Sequence, residues 1–292
     1  MAYPMEQLTT ALLDGFAYGM VLFIISVGLT VTMGLMRIIN LAHGGFAMIG
    51  GYVTAFAVAS GWSFLSGTLI GVAVAALAGA AMEMTLFRPL YRKGELSQVL
   101  LTFGLVFVIT ASLTAIFGVN AKPIPVPESL GGLISIGYRS YPVYRLFLIG
   151  FGLCLAFGLW LLLDRSSLGA RLRASVENQR IARAMGINVN LLFTVTFAFG
   201  CGLAALGAVL GAELLPLEPY YALRYIVLFF VVVAIGGLGS LKGSFVAAIV
   251  VGLVDTAGKF FLPSVAPYLM FLIAFALLLW RPNGLVSAKS AA

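Results

Sequence analysis

Runs of apolar residues long enough to cross a bilayer recur along the whole chain, at residues 12–33, 63–87, 98–119, 141–163 and 190–215. A helix rises about 1.5 Å per residue, so about 20 apolar residues match a hydrocarbon core roughly 30 Å thick. The runs are continuous rather than alternating, which argues for helices and against a transmembrane barrel. Charged residues make up 9% of the chain, where soluble domains carry about a quarter. Mean hydropathy is +1.10. The chain therefore reads as all-α, a polytopic integral membrane helical bundle forming a single transmembrane domain over residues 1–292. Its 34 glycines suit a bundle in which small residues let backbones approach.

One break in this apolar pattern stands out. Residues 164–189 read DRSSLGARLRASVENQRIARAMGINV, with Arg165, Arg171, Arg173, Arg180 and Arg183 set against Asp164 and Glu177. Basic residues in short loops stay on the cytoplasmic side, which makes this a cytoplasmic loop. The topology that follows puts Arg37, Arg88, Arg92, Lys93, Lys242, Arg281 and Lys289 on the same side. Lys122, Arg139, Arg145, Arg224 and Lys259 fall on the other. The net charge of +7 is thus topological and implies no nucleic-acid partner. The N-terminus is expected outside and the C-terminus in the cytoplasm. No Lys or Arg precedes the first apolar run, so that run reads as a retained span rather than a signal peptide.

Within the loop, residues 174–185 are helix-compatible. Ala174, Ile181, Ala182 and Met185 would share one face, and Gly186 supplies a helix stop. Residues alone favour a solvated connector, or a helix lying on anionic lipid, over a docking helix for a cytoplasmic partner.

Residues 37–52 are harder to classify, because Asn40, the sole histidine His43, and Gly44, Gly45, Gly50 and Gly51 stand in an apolar context. The stretch is either a full second span or a broken, partly re-entrant one, giving nine or eight crossings. Irregular backbone at that depth needs protein or a water-filled cavity to satisfy its polar groups. Residues 120–140, with Pro123, Pro125 and Pro127, read as a folded loop on the outer face. Gly236-Gly237-Leu238-Gly239-Ser240 forms a glycine-rich cytoplasmic turn without the spacing of a phosphate-binding loop. Gly44-Gly45 and Gly236-Gly237 fall at roughly matching positions in the two halves, a pointer to an internal repeat lining a path.

The available chemistry is sparse. One His and two separated Cys give no metal site, and Cys154 and Cys201 read as small buried hydrophobes. Glu83 is expected to pair with Arg88 or reach the interface, Asp255 to pair with Lys259, and Glu213 and Glu218 to meet solvent. Asn40 and His43 would share a helix face, either satisfying a helix break or lining a pore. An enzyme is disfavoured, and no cofactor is expected.

The stretch GLTVTMGLMRIINLAHGGFAMIGGY at residues 28–52, above all Asn40-Leu41-Ala42-His43-Gly44, resembles the signature of permeases of branched-chain amino acid ABC importers. Gly169-Ala170-Arg171 through Glu177, Ala182 and Met185-Gly186-Ile187-Asn188 is similar to that family too. So are Gly236-Gly237-Leu238-Gly239-Ser240 and Arg281-Pro282-Asn283-Gly284-Leu285. The resemblance implies the ABC importer permease fold in a bacterial inner membrane. It implies a second related permease, two cytoplasmic ATP-binding subunits that use the ATP, and a periplasmic substrate-binding protein. It also makes the loop helix the coupling helix, with Arg171, Glu177, Arg180 and Arg183 orienting an ATPase, Ala182 on its apolar face and Gly186 at its end. Branched-chain or related hydrophobic amino acids are the expected substrates. The alternatives are urea or short amides within the same family, or a secondary transporter that needs no ATPase.

Overall fold

The computed structural model describes residues 3–36, 38–91, 93–136 and 139–286. Arg37, Arg92 and Lys289, counted above among the cytoplasmic bases, lie outside the described residues. The helices in chain order are α1 (Tyr3–Met36), α2 (His43–Ala59), α3 (Phe64–Met82), α4 (Glu95–Phe117), α5 (Val143–Trp160) and α6 (Ser167–Glu177). They continue as α7 (Gln179–Ala184), α8 (Val189–Leu210), α9 (Tyr221–Gly236), α10 (Leu241–Phe261) and α11 (Ala266–Trp280). Among the described residues, six segments are long and apolar enough to span a bilayer: Leu8–Gly34, Phe64–Leu90, Glu95–Phe117, Val143–Arg165, Val189–Leu210 and Leu241–Phe261. Three shorter apolar helices, α2, α9 and α11, accompany them.

The most buried of the spanning helices is α1: Val21, Leu22, Phe23, Ile24 and Ile25 have no exposed surface. It is the axis of the bundle, with α8 and α10 against it. Small residues decide those contacts. A Cβ on Gly28 would lie 2.4 Å from the Gly200 carbonyl oxygen, and one on Gly34 would lie 1.9 Å from Gly239 Cα. With little hydrophobic drive between helices in lipid, such backbone approach supplies the packing energy. The helices α3, α4, α5 and α11 stand outside and expose Leu77, Leu100, Phe157 and Leu279, as a lipid-facing ring requires.

Both α3 and α5 end in one widened, π-type turn, at Glu83–Phe87 and Leu161–Arg165. These turns mark the end of the bundle that carries α6 and α7. The opposite end carries an antiparallel hairpin, β1 (Leu133–Ile136) with β2 (Arg139–Pro142), in the register Leu133↔Pro142 and Ser135↔Ser140. The proline-rich loop is thus folded, and the all-α bundle has this one small sheet among the described residues. Tyr141 donates to Asp14 Oδ1 at 2.7 Å, and Arg145 pairs with the same carboxylate, tying the start of α5 to α1.

Two expectations are corrected here. The single helix over residues 174–185 is two, because Asn178 adopts extended backbone and uses its own Oδ1 to cap α7, accepting from the Arg180 and Ile181 N–H groups at 3.0 and 3.1 Å. Ala182 is buried, but Ile181 and Met185 are exposed, so the four residues form no shared buried face. Cys201 is buried as expected, whereas Cys154 is exposed on the outward side of α5. Asp255 and Lys259 pair at 2.5 Å as the spacing predicts, and the Lys259 ammonium also lies 5.3 Å from the centre of the Tyr18 ring.

Candidate functional site

Residues 38–42 run back along α1 without helical structure, and the chain enters α2 at His43, level with the middle of α1. The His43 Nε2 donates to the Ile25 carbonyl at 2.8 Å. A carbonyl only accepts, so this contact fixes the proton on Nε2 and leaves Nδ1 as an acceptor. Nδ1 has no hydrogen-bond partner, and neither atom of the Asn40 amide has one, although both residues are completely buried. Buried polar groups without partners are costly and rare.

The same point is where α9 begins. A Cβ on Gly44 would lie 2.9 Å from Ala222 Cα, and one on Gly45 would lie 2.9 Å from Ile109 Cδ1 of α4. From there α2 runs alongside α8, with Phe46 edge-on to Phe197 and Gly50 against Ala205, away from the α6/α7 end. Helix α9 runs the other way and finishes where Gly236 touches Gly243 and Ser244. Two short helices thus start at one buried point and leave in opposite directions; of residues 38–52, 38–42 are irregular and His43 opens a continuous helix to Ala59. Asn40, His43, Gly44 and Gly45 are brought together at this junction. Gly236 and Gly237 are not: they sit at the far end of α9, where Gly237 (φ +93°) packs on the Asn283 and Val286 carbonyls. The break that answers α2 is the turn before Tyr221, which carries no glycine pair.

At the α6/α7 end, Ser166 Oγ caps α6 by accepting from the Leu168 and Gly169 N–H groups, and Leu172 and Ser175 are buried beneath it. Arg173 reaches back to the Leu163 carbonyl at 2.6 Å. The elbow at Asn178 then leads into α7, whose Ala182 is buried. Gly186 closes it at φ +82°, with its N–H on the Arg183 carbonyl and the Ile187 N–H on the Ala182 carbonyl, both 3.0 Å. Arg171, Glu177, Arg180 and Arg183 all point to the exterior. Beside them, Leu168, Arg171, Met185, Gly186, Leu191 and Val195 line an open groove of about 430 Å³. Met185 is 77% exposed and Ile181 58%, an apolar pair standing outside the span among arginines.

A polar knot at this end of the bundle ties the end of α3 to α8. Glu83, fully buried, receives Arg88 Nη2 at 3.0 Å, the Tyr91 hydroxyl at 2.6 Å and the Thr194 hydroxyl at 2.6 Å. Burial, and then the carboxylate it touches, push the Tyr91 hydroxyl above the ordinary phenol value, so it remains a donor. The pair Glu83 with Arg88 was legible five residues apart in sequence; Tyr91 and Thr194 were not, since Thr194 comes from α8 and looks like any helix-interior threonine. Glu83→Ala would strand three donors. Breaking a buried pair costs about 3–5 kcal/mol, and the 34% exposure of the Arg88 side chain reduces this here to about 2 kcal/mol. The expected result is a melting temperature lower by about 4–8 °C in detergent, partly restored in Glu83→Ala/Arg88→Met; an unchanged melt would show the knot to be idle.

The profile of the family described as "branched-chain amino acid transport system / permease component" matches residues 11–280. The chain belongs to this family. The high-affinity branched-chain amino acid transport system permease protein BraD of Pseudomonas aeruginosa is 26% identical over 94% of both chains. LivH of Escherichia coli K12, with the same description, is 24% identical over 94% of this chain and 93% of its own. A probable branched-chain amino acid transport permease, LivH of Methanocaldococcus jannaschii, is 26% identical over 85% and 80%. Among solved structures, PsaBC from Streptococcus pneumoniae aligns with a TM-score of 0.47 at 16% identity, over 94% of this chain and 88% of that one. This permease is therefore a transmembrane transport component and not an enzyme. In it the Asn40–His43 signature lies at the helix junction, and the basic signature forms the exposed elbow.

Proposed function

We propose that this permease is the membrane-spanning subunit of an ATP-binding cassette importer that carries branched-chain or similarly hydrophobic amino acids into the cytoplasm. It pairs with a second related permease, takes solute from a periplasmic binding protein and is driven by two cytoplasmic ATP-binding subunits, which use the ATP. The α6/α7 end faces the cytoplasm of a bacterial inner membrane, with the N-terminus periplasmic, because its arginines oppose translocation.

The observation that carries this reading is the elbow of α6 and α7. It presents Arg171, Glu177, Arg180 and Arg183 around exposed Ile181 and Met185 and leads directly into α8, which the Glu83 knot ties to the end of α3. Charged residues orient a partner while an apolar pair fills its cleft. Movement there reaches α8, and α8 packs on α2 beside the junction, so a two-state partner has a rigid route to the half-helices. Asn40, His43, Gly44 and Gly45 lie along the translocation path, and Gly236 and Gly237 serve as its packed hinge at the cytoplasmic end.

The test is purification from native membranes in mild detergent, identification of bound subunits, and uptake of leucine against urea in vesicles. Co-purified ATPases with ATP-dependent leucine uptake are expected. A chain that transports alone without ATP, or an assembly that takes urea and not leucine, overturns the reading of mechanism or of substrate respectively.

A further inference from the structure

We propose that the groove between α5 and α10 at the α6/α7 end holds one anionic phospholipid, an acyl chain lying against Ala156, Trp160, Phe245 and Val246 and the phosphate at Lys242. The groove measures about 450 Å³, and Lys242 is its only charged lining residue. Its wall is aromatic and firm: Phe23, fully buried, meets Phe245 edge-on at 5.3 Å between ring centres. Val246 is exposed along its flank.

The groove runs along two spanning segments, Val143–Arg165 and Leu241–Phe261, and opens at the end where both meet the interface. An occupant must be apolar along its length and anionic at one end. A peptide would bring backbone N–H and C=O groups into a wall that offers them no partners, whereas an acyl chain brings none. The mouth supplies the charge. Lys242 also lines a second cavity of about 240 Å³ that it shares with Asp164, Arg173 and Ser240, so it stands where the apolar groove meets charged and hydroxyl side chains. Lys242 has no ion-pair partner among the described residues. Arg165 lies 5.0 Å above the Trp160 ring, which places a second cation over the groove wall. Against Arg165, Arg173 and Lys242 there is one acid, Asp164. Basic pockets between helices at the bilayer surface attract acidic head groups, and tryptophan at that level anchors the interface.

Trp160 is a built-in reporter. The full-length chain carrying Trp62→Phe and Trp280→Phe retains it as the only one of three tryptophans. In bilayers, phosphatidylglycerol brominated on its acyl chain is titrated against phosphatidylcholine brominated identically. Half-maximal quenching of Trp160 is expected at about a 25-fold lower mole fraction of the anionic lipid, on a scale of about five-fold for each of the two basic residues. Lys242→Gln should lose about five-fold of that preference, Lys242→Gln with Arg165→Gln should abolish it, and Lys242→Arg should keep it. Equal quenching by the two lipids, or a preference untouched by the glutamine variants, overturns the proposal. Quenching by neither lipid also overturns it, because protein then covers the groove.

Discussion

Gly186→Pro is expected to reduce ATP-driven uptake at least tenfold while the chain still inserts in the membrane. Gly186 holds φ at +82°, and its N–H donates to the Arg183 carbonyl at 3.0 Å. Proline fixes φ near −65° and has no N–H, so the turn from α7 into α8 must be rebuilt. The apolar length of α8 is unaffected, and insertion with it. What changes is the pose of Ile181, Met185 and the arginines relative to the bundle, and a docking surface misplaced by about 1 Å no longer transmits its partner's motion. ATP hydrolysis by the assembly should persist without transport. Gly186→Asn, which tolerates the left-handed conformation, should keep most of the uptake. Glu177→Arg, which reverses a charge on the exposed elbow without touching the turn, should lower coupled uptake as well. Normal transport by both Gly186→Pro and Glu177→Arg would sink the docking role.

The second large effect is on folding. Gly34→Val would put a Cβ 1.9 Å from Gly239 Cα and 2.1 Å from its nitrogen. Both neighbours are backbone, so no side chain can move aside. Overpacking costs about 1–3 kcal/mol where side chains yield, and here the upper end is the floor. A loss of about 3 kcal/mol corresponds to a melting temperature lower by about 6–12 °C for a chain of this size. The readout is a detergent melt followed by size-exclusion profile. Gly104→Val on α4 is the matched control, since nothing lies within 4 Å of a Cβ there, and it should melt like the parent. Equal melting of the two variants would mean that α1 and the glycine turn do not meet as described.

Both predictions rest on glycines that look alike in the sequence. Gly34 and Gly104 each interrupt an apolar run, and only contact with Gly239 makes one indispensable. The same limit applied to Gly236 and Gly237, read as the counterpart of Gly44 and Gly45. Their real surroundings are Gly243, Asn283, Gly284 and Val286, and Gly44 instead meets Ala222, a residue with no distinguishing local signal. The elbow failed differently. The periodicity of residues 174–185 fitted one helix, but Asn178 offered its side chain to the next two free N–H groups, and a cap competes directly with helix continuation.

Legible from the residues alone were the class of fold, the placement of the long apolar segments, the exposure of Arg171, Glu177, Arg180 and Arg183, and the Glu83–Arg88 and Asp255–Lys259 pairs. They were legible because hydrocarbon imposes a length and a composition on any helix that crosses it, and because residues four apart on a helix meet whatever surrounds them; Glu83 and Arg88, five apart, meet through the π-type turn that follows α3. Tertiary structure alone decided that α1 is the buried axis, that His43 reaches Ile25, that Thr194 completes the Glu83 knot and that α2 and α9 start from one point. In a chain apolar almost throughout, hydrophobicity no longer separates inside from outside. The partners are then chosen by backbone approach at small residues and by polar atoms seeking mates across helices, and neither is written in local sequence.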